Sequence, residues 1–86
     1  MYSIESTGDP HTIKVTVSRR ILERGSETFE SAAMAAFSPL ASALFGVAGI
    51  RRVELSRSAI LLTKAAGSDW AVVRPLLEKT LASYFS

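Results

Sequence analysis

The chain has 86 residues, of which 48% are hydrophobic and 21% are charged, and its formal net charge at pH 7 is +2. This length and composition are typical of one globular domain, and they exclude both a disordered chain and two independent cores. The sequence contains no cysteine, which excludes disulfides, thiolate nucleophiles and thiolate-bound zinc or iron–sulfur clusters within these residues.

Targeting and membrane signals are not visible in the sequence. No apolar run approaches the roughly 20 residues that a membrane-spanning helix needs. The first residues, Met1–Glu5, lack the charged and apolar regions of a secretory signal peptide. We therefore expect a single soluble domain over residues 1–86, located in the cytoplasm and not associated with a membrane.

The first part of the chain has the alternation of β-strands. Residues 2–6 show a weak alternation, and residues 12–18 place three aliphatic side chains on one face. Between them, residues 7–11 combine glycine, aspartate and proline, which are typical turn residues. These features predict a β-hairpin.

Residues 19–30 are less regular, although Phe29 indicates a short extended piece against the core. A helix then begins at Ser38, which is a good N-cap, with Pro39 at the first helical position. Gly46 provides a residue at which this helix can stop. The apolar face of this central helix consists of Leu40, Ala41, Leu44 and Phe45.

Two further strands, residues 52–55 and 59–63, predict a second hairpin. A turn of either two or four residues aligns their aliphatic side chains on one face, pairing Leu55 with Ile60 and Val53 with Leu62. Arg57 and Ser58 are poor residues for a two-residue turn, so the longer loop is favoured. Leu61 then points to the opposite face, where an apolar residue is unexpected.

The last predicted element is a helix after Gly67, with Ser68 as a candidate cap. Its apolar stripe recurs every three or four residues and consists of Trp70, Val73, Leu77, Leu81 and Tyr84. We interpret Trp70 as a core anchor. The order β-β-α-β-β-α predicts an α+β domain in which a mostly antiparallel sheet of about four strands carries both helices on one face.

Three side chains near the first turn are candidate metal ligands: Glu5, Asp9 and His11, the one histidine of the chain. Metal sites usually need three or four converging ligands, so these residues suggest at most weak direct iron binding. The alternative interpretation is that Asp9 caps the turn and His11 lies at the surface.

A second group of candidates is basic. Arg51 and Arg52, with Arg57 and Lys64 nearby, either form a patch for an acidic partner or RNA, or are solvated charges at a strand edge. The neighbouring strands contain no aromatic side chains on which RNA bases could stack, so a nucleic-acid adaptor is the less favoured alternative. Neither a nucleophile–histidine–carboxylate arrangement nor a phosphate-binding glycine loop is visible, and we do not expect an enzyme.

The ordered residues resemble a known family, the Nfu/NifU-type N-terminal domain. The resemblance is carried by Ser38-Pro39-Leu40-Ala41, Leu44-Phe45, Gly49-Ile50, Val53, Ile60, Thr63-Lys64, Asp69-Trp70 and Pro75, and more weakly by Thr7-Gly8-Asp9-Pro10, Lys14, Phe29 and Ser31. It spans essentially the whole chain. In this family the C-x-x-C motif that holds an iron–sulfur cluster lies in a separate C-terminal domain, and the present sequence stops at Ser86.

The resemblance implies a stand-alone, non-catalytic accessory module that serves iron–sulfur cluster assembly or iron handling through protein contacts. Its partners would be cluster carrier or recipient proteins with a C-x-x-C domain, and no cofactor would be bound by thiolates. We expect the docking patch on the central helix and the following hairpin, at Leu40, Leu44, Arg51, Arg52, Arg57 and Leu61. Weak iron binding through Glu5, Asp9 and His11 and a small basic nucleic-acid-binding adaptor stay as alternatives.

Overall fold

A computed structural model describes residues 2–18, 20–22 and 25–84. Positions 19, 23 and 24 of the predicted irregular stretch lie outside the described residues. The elements are β1 (Tyr2–Ser6), β2 (Thr12–Val17), β3 (Glu27–Phe29), α1 (Pro39–Phe45), β4 (Ile50–Leu55), β5 (Ala59–Lys64) and α2 (Trp70–Tyr84).

The strands form one antiparallel sheet in the order β1-β2-β5-β4-β3. Both helices pack on one face of it, which confirms the predicted α+β class. The sheet has five strands where about four were predicted. The additional strand is β3, which contains the predicted extended piece at Phe29 and pairs with the outer edge of β4.

Local capping chemistry explains where the two helices begin. The Ser38 hydroxyl accepts a hydrogen bond from the Ala41 amide at 3.3 Å, and Pro39 is the first helical residue, as predicted. At the start of α2, the carboxylate of Asp69 accepts a hydrogen bond from the Ala71 amide at 2.9 Å. The cap of α2 is therefore Asp69, whereas Ser68 was predicted.

The hairpin register predicted from the aliphatic alternation is confirmed. Leu55 lies opposite Ile60 and Val53 lies opposite Leu62. The turn contains only Arg57 and Ser58, since the Ser56 amide donates to the Ala59 carbonyl at 2.9 Å. The longer loop favoured by the sequence is therefore wrong. This register directs the aliphatic side chains of both strands to the helical face, where they meet α1 and α2.

The core lies between the sheet and the helices. Its buried members include Val15, Val53, Leu55, Ile60 and Leu62 from the sheet and Leu40, Leu44, Val73, Leu77 and Leu81 from the helices. Trp70 packs against this core, and its indole nitrogen donates to the Pro10 carbonyl at 2.9 Å. The predicted anchor role of Trp70 is confirmed, because the indole ties the start of α2 to the first turn.

The turn before β4 brings the backbone of Gly49 against α2. Gly49 has a φ of +99°, and a Cβ atom built there would lie 2.8 Å from Val73 Cγ2 and 2.9 Å from Ser68 Oγ. A side chain at this position would therefore be strained twice, once by the backbone conformation and once by the contact with α2.

We predict that Gly49→Ala lowers the free energy of unfolding by about 2–4 kcal/mol, since both strains add. Two glycines serve as controls in urea denaturation. Gly25 has a φ of +73° with no neighbour within 4 Å, so Gly25→Ala should cost only about 1 kcal/mol. Gly67 has open space and no positive φ, so Gly67→Ala should have almost no effect. Equal costs at Gly49 and Gly67 would contradict the close packing of this turn on α2.

Candidate functional site

One face of the sheet carries no helix, and it is called the open face below. Its side chains are those that alternate with the core residues, and the structure leaves them exposed or half-buried. They are Ser3 and Glu5 of β1, Thr12, Lys14 and Thr16 of β2, Ala59, Leu61 and Thr63 of β5, Arg52 and Glu54 of β4, and Thr28 of β3.

A single row of side chains crosses the middle of the open face. The strand pairings place them in the order Glu5, Lys14, Leu61, Glu54 and Thr28. Leu61 lies on the central strand and is half-buried. The row therefore has an apolar centre with a cation on one side and an anion on the other.

A β-bulge in β4 shapes one corner of the open face. The register between β4 and β5 shifts between Ile50 and Arg52, so that Arg51 is the additional residue. Bulges bend a strand and re-aim its side chains. Here Arg51 and Arg52, with Glu30 and Thr63, line a cavity of about 260 Å³, which we call the arginine corner.

The arginine corner is suited to an anionic group. Both guanidinium groups belong to exposed residues, and their one ion pair within the described residues is the 4.0 Å contact of Arg52 with Glu54. Guanidinium groups bind carboxylates and other oxyanions through paired N–H donors. Two adjacent arginines can therefore bind an acidic surface without first breaking a strong ion pair.

Two of the predicted docking residues do not lie at the surface. Leu40 is 4% exposed and Leu44 is fully buried, both in the core beneath α1. The apolar face of α1 packs on the sheet, so neither side chain can contact a partner while the domain is folded. The expected patch on the central helix is corrected accordingly.

Arg57 is at the surface but not with the other arginines. It lies in the β4–β5 turn, where its carbonyl accepts from the Ile21 amide at 2.6 Å. Arg57 lies five positions beyond Arg52, after the end of β4 at Leu55, and an extended chain of that length spans up to about 16 Å. The structure therefore brings together Arg51, Arg52 and, further along the same face, Leu61.

The predicted metal ligands are used in other contacts. The Asp9 carboxylate accepts from the His11 amide at 2.8 Å and from the Thr12 hydroxyl at 3.3 Å, which is the predicted turn-capping role. The Glu5 carboxylate lies on the open face and accepts from the Thr16 hydroxyl at 3.4 Å. The described residues contain no group of three or more His, Asp or Glu side chains placed to hold a metal ion.

The imidazole of His11 faces a cation. His11 Nδ1 lies 3.2 Å from the ammonium group of Lys64, which is 8% exposed. A lysine ammonium has only donors, so His11 Nδ1 is the acceptor in this contact. The lone pair that would bind a metal at this nitrogen is thus directed at Lys64.

Two large apolar side chains before α1 are exposed, which the sequence pattern did not predict. Residues 31–37 form hydrogen-bonded turns, in which Met34 is 55% exposed and Phe37 is fully exposed. A contiguous patch of exposed apolar side chains indicates a binding surface, whereas single exposed ones are ordinary. The sequence feature that could have indicated this exposure is the group of alanines around Met34. Alanine side chains are too small to cover Met34 and Phe37.

The whole described chain matches one family. The family is described as "Scaffold protein Nfu/NifU N terminal", and the match extends over residues 2–86. The chain belongs to the Nfu/NifU N-terminal family. This confirms the resemblance on which the expected biological context was based.

Two relatives of this Nfu/NifU N-terminal domain are longer proteins. It is 27% identical over 82 residues to NifU-like protein 5, mitochondrial, of Arabidopsis thaliana, which covers 95% of the chain and 30% of that protein. It is 29% identical over 83 residues to the human NFU1 iron-sulfur cluster scaffold homolog, mitochondrial, covering 95% of the chain and 33% of that protein. The chain therefore spans about a third of the length of these relatives.

Solved structures confirm the fold of the Nfu/NifU N-terminal domain. The crystal structure of protein SAV1430 from Staphylococcus aureus matches with a TM-score of 0.82 at 22% identity, over 92% of this chain and 94% of that one. The solution structure of a NifU-like protein from Saccharomyces cerevisiae matches with a TM-score of 0.83 at 13% identity, over 99% and 77% of the two chains.

In the described residues, neither helix has the length and apolar character to cross a membrane.

The assignment of Leu61 to the open face can be tested against its neighbour. We predict that Leu62→Ala lowers the free energy of unfolding by about 2–5 kcal/mol, because Leu62 is fully buried. Leu61→Ala should cost less than about 1.5 kcal/mol, because Leu61 is only half-buried on a face that no helix covers. Urea denaturation at low protein concentration measures both values. Similar losses for the two leucines, or a larger loss for Leu61→Ala, would contradict the register of β5.

Proposed function

We propose that this chain is a non-catalytic accessory module of iron–sulfur cluster assembly. In this proposal it docks a cluster carrier or recipient protein with a C-x-x-C domain on its open face. The observation that carries the proposal is the arginine corner, which presents two guanidinium groups beside the apolar Leu61 on a sheet face that no helix covers. The family match over residues 2–86 supplies the biological context.

The names of the relatives support the iron–sulfur context. The human relative is named as an iron-sulfur cluster scaffold homolog. The present sequence has no cysteine, so any thiolate-ligated cluster would stay on the partner while the two proteins are in contact. The contribution of this module would then be recognition and orientation of the partner.

Charge complementarity explains why a cluster-carrying domain suits the arginine corner. Iron–sulfur clusters in proteins are held by cysteine thiolates, which are anionic ligands. A surface near such a site attracts Arg51 and Arg52, and this attraction increases the association rate. Leu61 adds a small apolar contact at the centre of the same face.

The experiment is calorimetric titration of the full chain with a purified C-x-x-C domain, with and without its iron–sulfur cluster, under anaerobic conditions. We predict saturable binding that Arg51→Glu and Arg52→Glu each weaken by about tenfold, since each reverses a charge facing an anionic surface. Binding should also weaken as salt concentration rises, because salt screens exposed charges.

The matched control is Arg74→Glu. Arg74 is exposed on α2, on the opposite side of the domain, and pairs with Glu78 at 3.3 Å. The same charge reversal there should leave the affinity within about twofold of wild type, because exposed charges well beyond a Debye length from the contact are screened. Equal weakening by Arg74→Glu and Arg51→Glu would show a non-specific charge effect and contradict the proposed surface.

Absence of binding to either form of the C-x-x-C domain would overturn the proposed function. Steeply salt-dependent binding to RNA in the same assay would favour the nucleic-acid alternative instead. The cytoplasmic location expected from the sequence stays a prediction, since the relatives named above are mitochondrial proteins.

A further inference from the structure

Leu61 is an apolar side chain in the middle of a solvent-facing sheet surface. It lies on β5, which has two strands on each side in the order β1-β2-β5-β4-β3. Its outward neighbours on the same strand are Ala59 and Thr63, which are small or only weakly polar. A line of low polarity therefore follows the central strand along the open face.

The charges on either side of this line are opposite in sign and equally spaced. Lys14 on β2 and Glu54 on β4 both lie directly opposite Leu61, so each is about one strand spacing, or 4.8 Å, from the line. Lys14 makes no ion pair within the described part of the chain. Among the described residues, the one ion pair of Glu54 is the 4.0 Å contact with Arg52.

We propose that the open face binds a second copy of this chain about a twofold axis that runs along β5. Rotation about such an axis places β2 of one copy over β4 of the other. Each residue keeps its position along the direction of β5. Leu61 then meets Leu61 of the second copy, Lys14 meets Glu54, and Glu54 meets Lys14. The contact is isologous, as in most homodimers.

The charge pattern selects this axis over the alternative. A twofold axis across the strands at Leu61 would place Lys14 against Lys14 and Glu54 against Glu54, which is unfavourable. With the axis along β5, the outer position Glu5 faces the neutral Thr28, and Thr12 faces Arg52. In these rows, no described side chain of one copy faces a side chain of like charge on the other copy.

The size of the open face predicts a weak dimer. Five strands about 4.8 Å apart, with up to six residues at about 3.3 Å each, give at most about 500 Å² per copy. The total of about 1,000 Å² is at the lower limit of specific interfaces. We therefore expect reversible self-association at high-micromolar concentrations, in the absence of any other partner.

Sedimentation equilibrium of the full chain tests the proposal, with samples up to the millimolar range at low salt. Lys14→Glu and Glu54→Lys should each raise the dimer Kd by about tenfold or more, because each variant places two like-charge pairs in its own dimer. A mixture of the two variants should form a heterodimer with an affinity near that of wild type, because both pairs are again opposite in sign. Leu61→Ser should weaken every combination.

Glu5→Lys is the matched control. It makes the same change of charge on the same face as Glu54→Lys, but its position faces Thr28, so the dimer Kd should stay within about threefold of wild type. Circular dichroism and thermal unfolding of each variant check that the fold is kept; exposed substitutions of this kind usually change stability by less than about 0.5 kcal/mol.

The proposal would be overturned by a monomeric wild type throughout this concentration range. It would also be overturned if mixing Lys14→Glu with Glu54→Lys failed to restore association, or if Glu5→Lys weakened it as much as Glu54→Lys. The assay contains no carrier protein, so its outcome is independent of the proposed function.

Discussion

The register of β5 is the constraint on which the rest of this domain depends. As the central strand it directs Ile60, Leu62 and Lys64 to the helical face, and therefore Ala59, Leu61 and Thr63 to the open face. A shift by one residue would exchange the two sets and destroy both the core and the open face. One strand therefore sets both the packing of the core and the composition of the open face. The register that buries Leu62 also directs Leu61 to the open face.

Much of the fold could be predicted because its elements have strong local signals. The aliphatic alternation on β4 and β5 gives one low-energy register, and Ser38 with Pro39 defines the start of α1. β3 was the weakest prediction, because Glu27–Phe29 is a three-residue strand with two exposed side chains, and its pairing depends on the edge of β4. The cap of α2 differs by one position because Ser68 and Asp69 are both good caps.

The site was harder to predict than the fold. The pattern that identified Leu40 and Leu44 as apolar cannot say whether that face meets the core or a partner, and the structure places both in the core. The β-bulge that places Arg51 and Arg52 at the same corner of the sheet is a tertiary feature without a clear sequence signal. The contact of His11 with Lys64 joins positions 53 residues apart, which no local motif reports. Only the outward direction of Leu61 followed from the alternation itself.

Both proposed contacts make the open face the binding surface of this Nfu/NifU N-terminal domain. Its two proposed contacts share Leu61, so a docked carrier and a second copy would exclude each other. Amide chemical-shift mapping of the labelled chain, titrated with a C-x-x-C domain, tests this claim most directly. If the open face binds the C-x-x-C domain, the shifts should be concentrated on β5, on β4 and at Arg51 and Arg52. Shifts confined to α2 and to the exposed segment 31–37, with the open face unchanged, would contradict it.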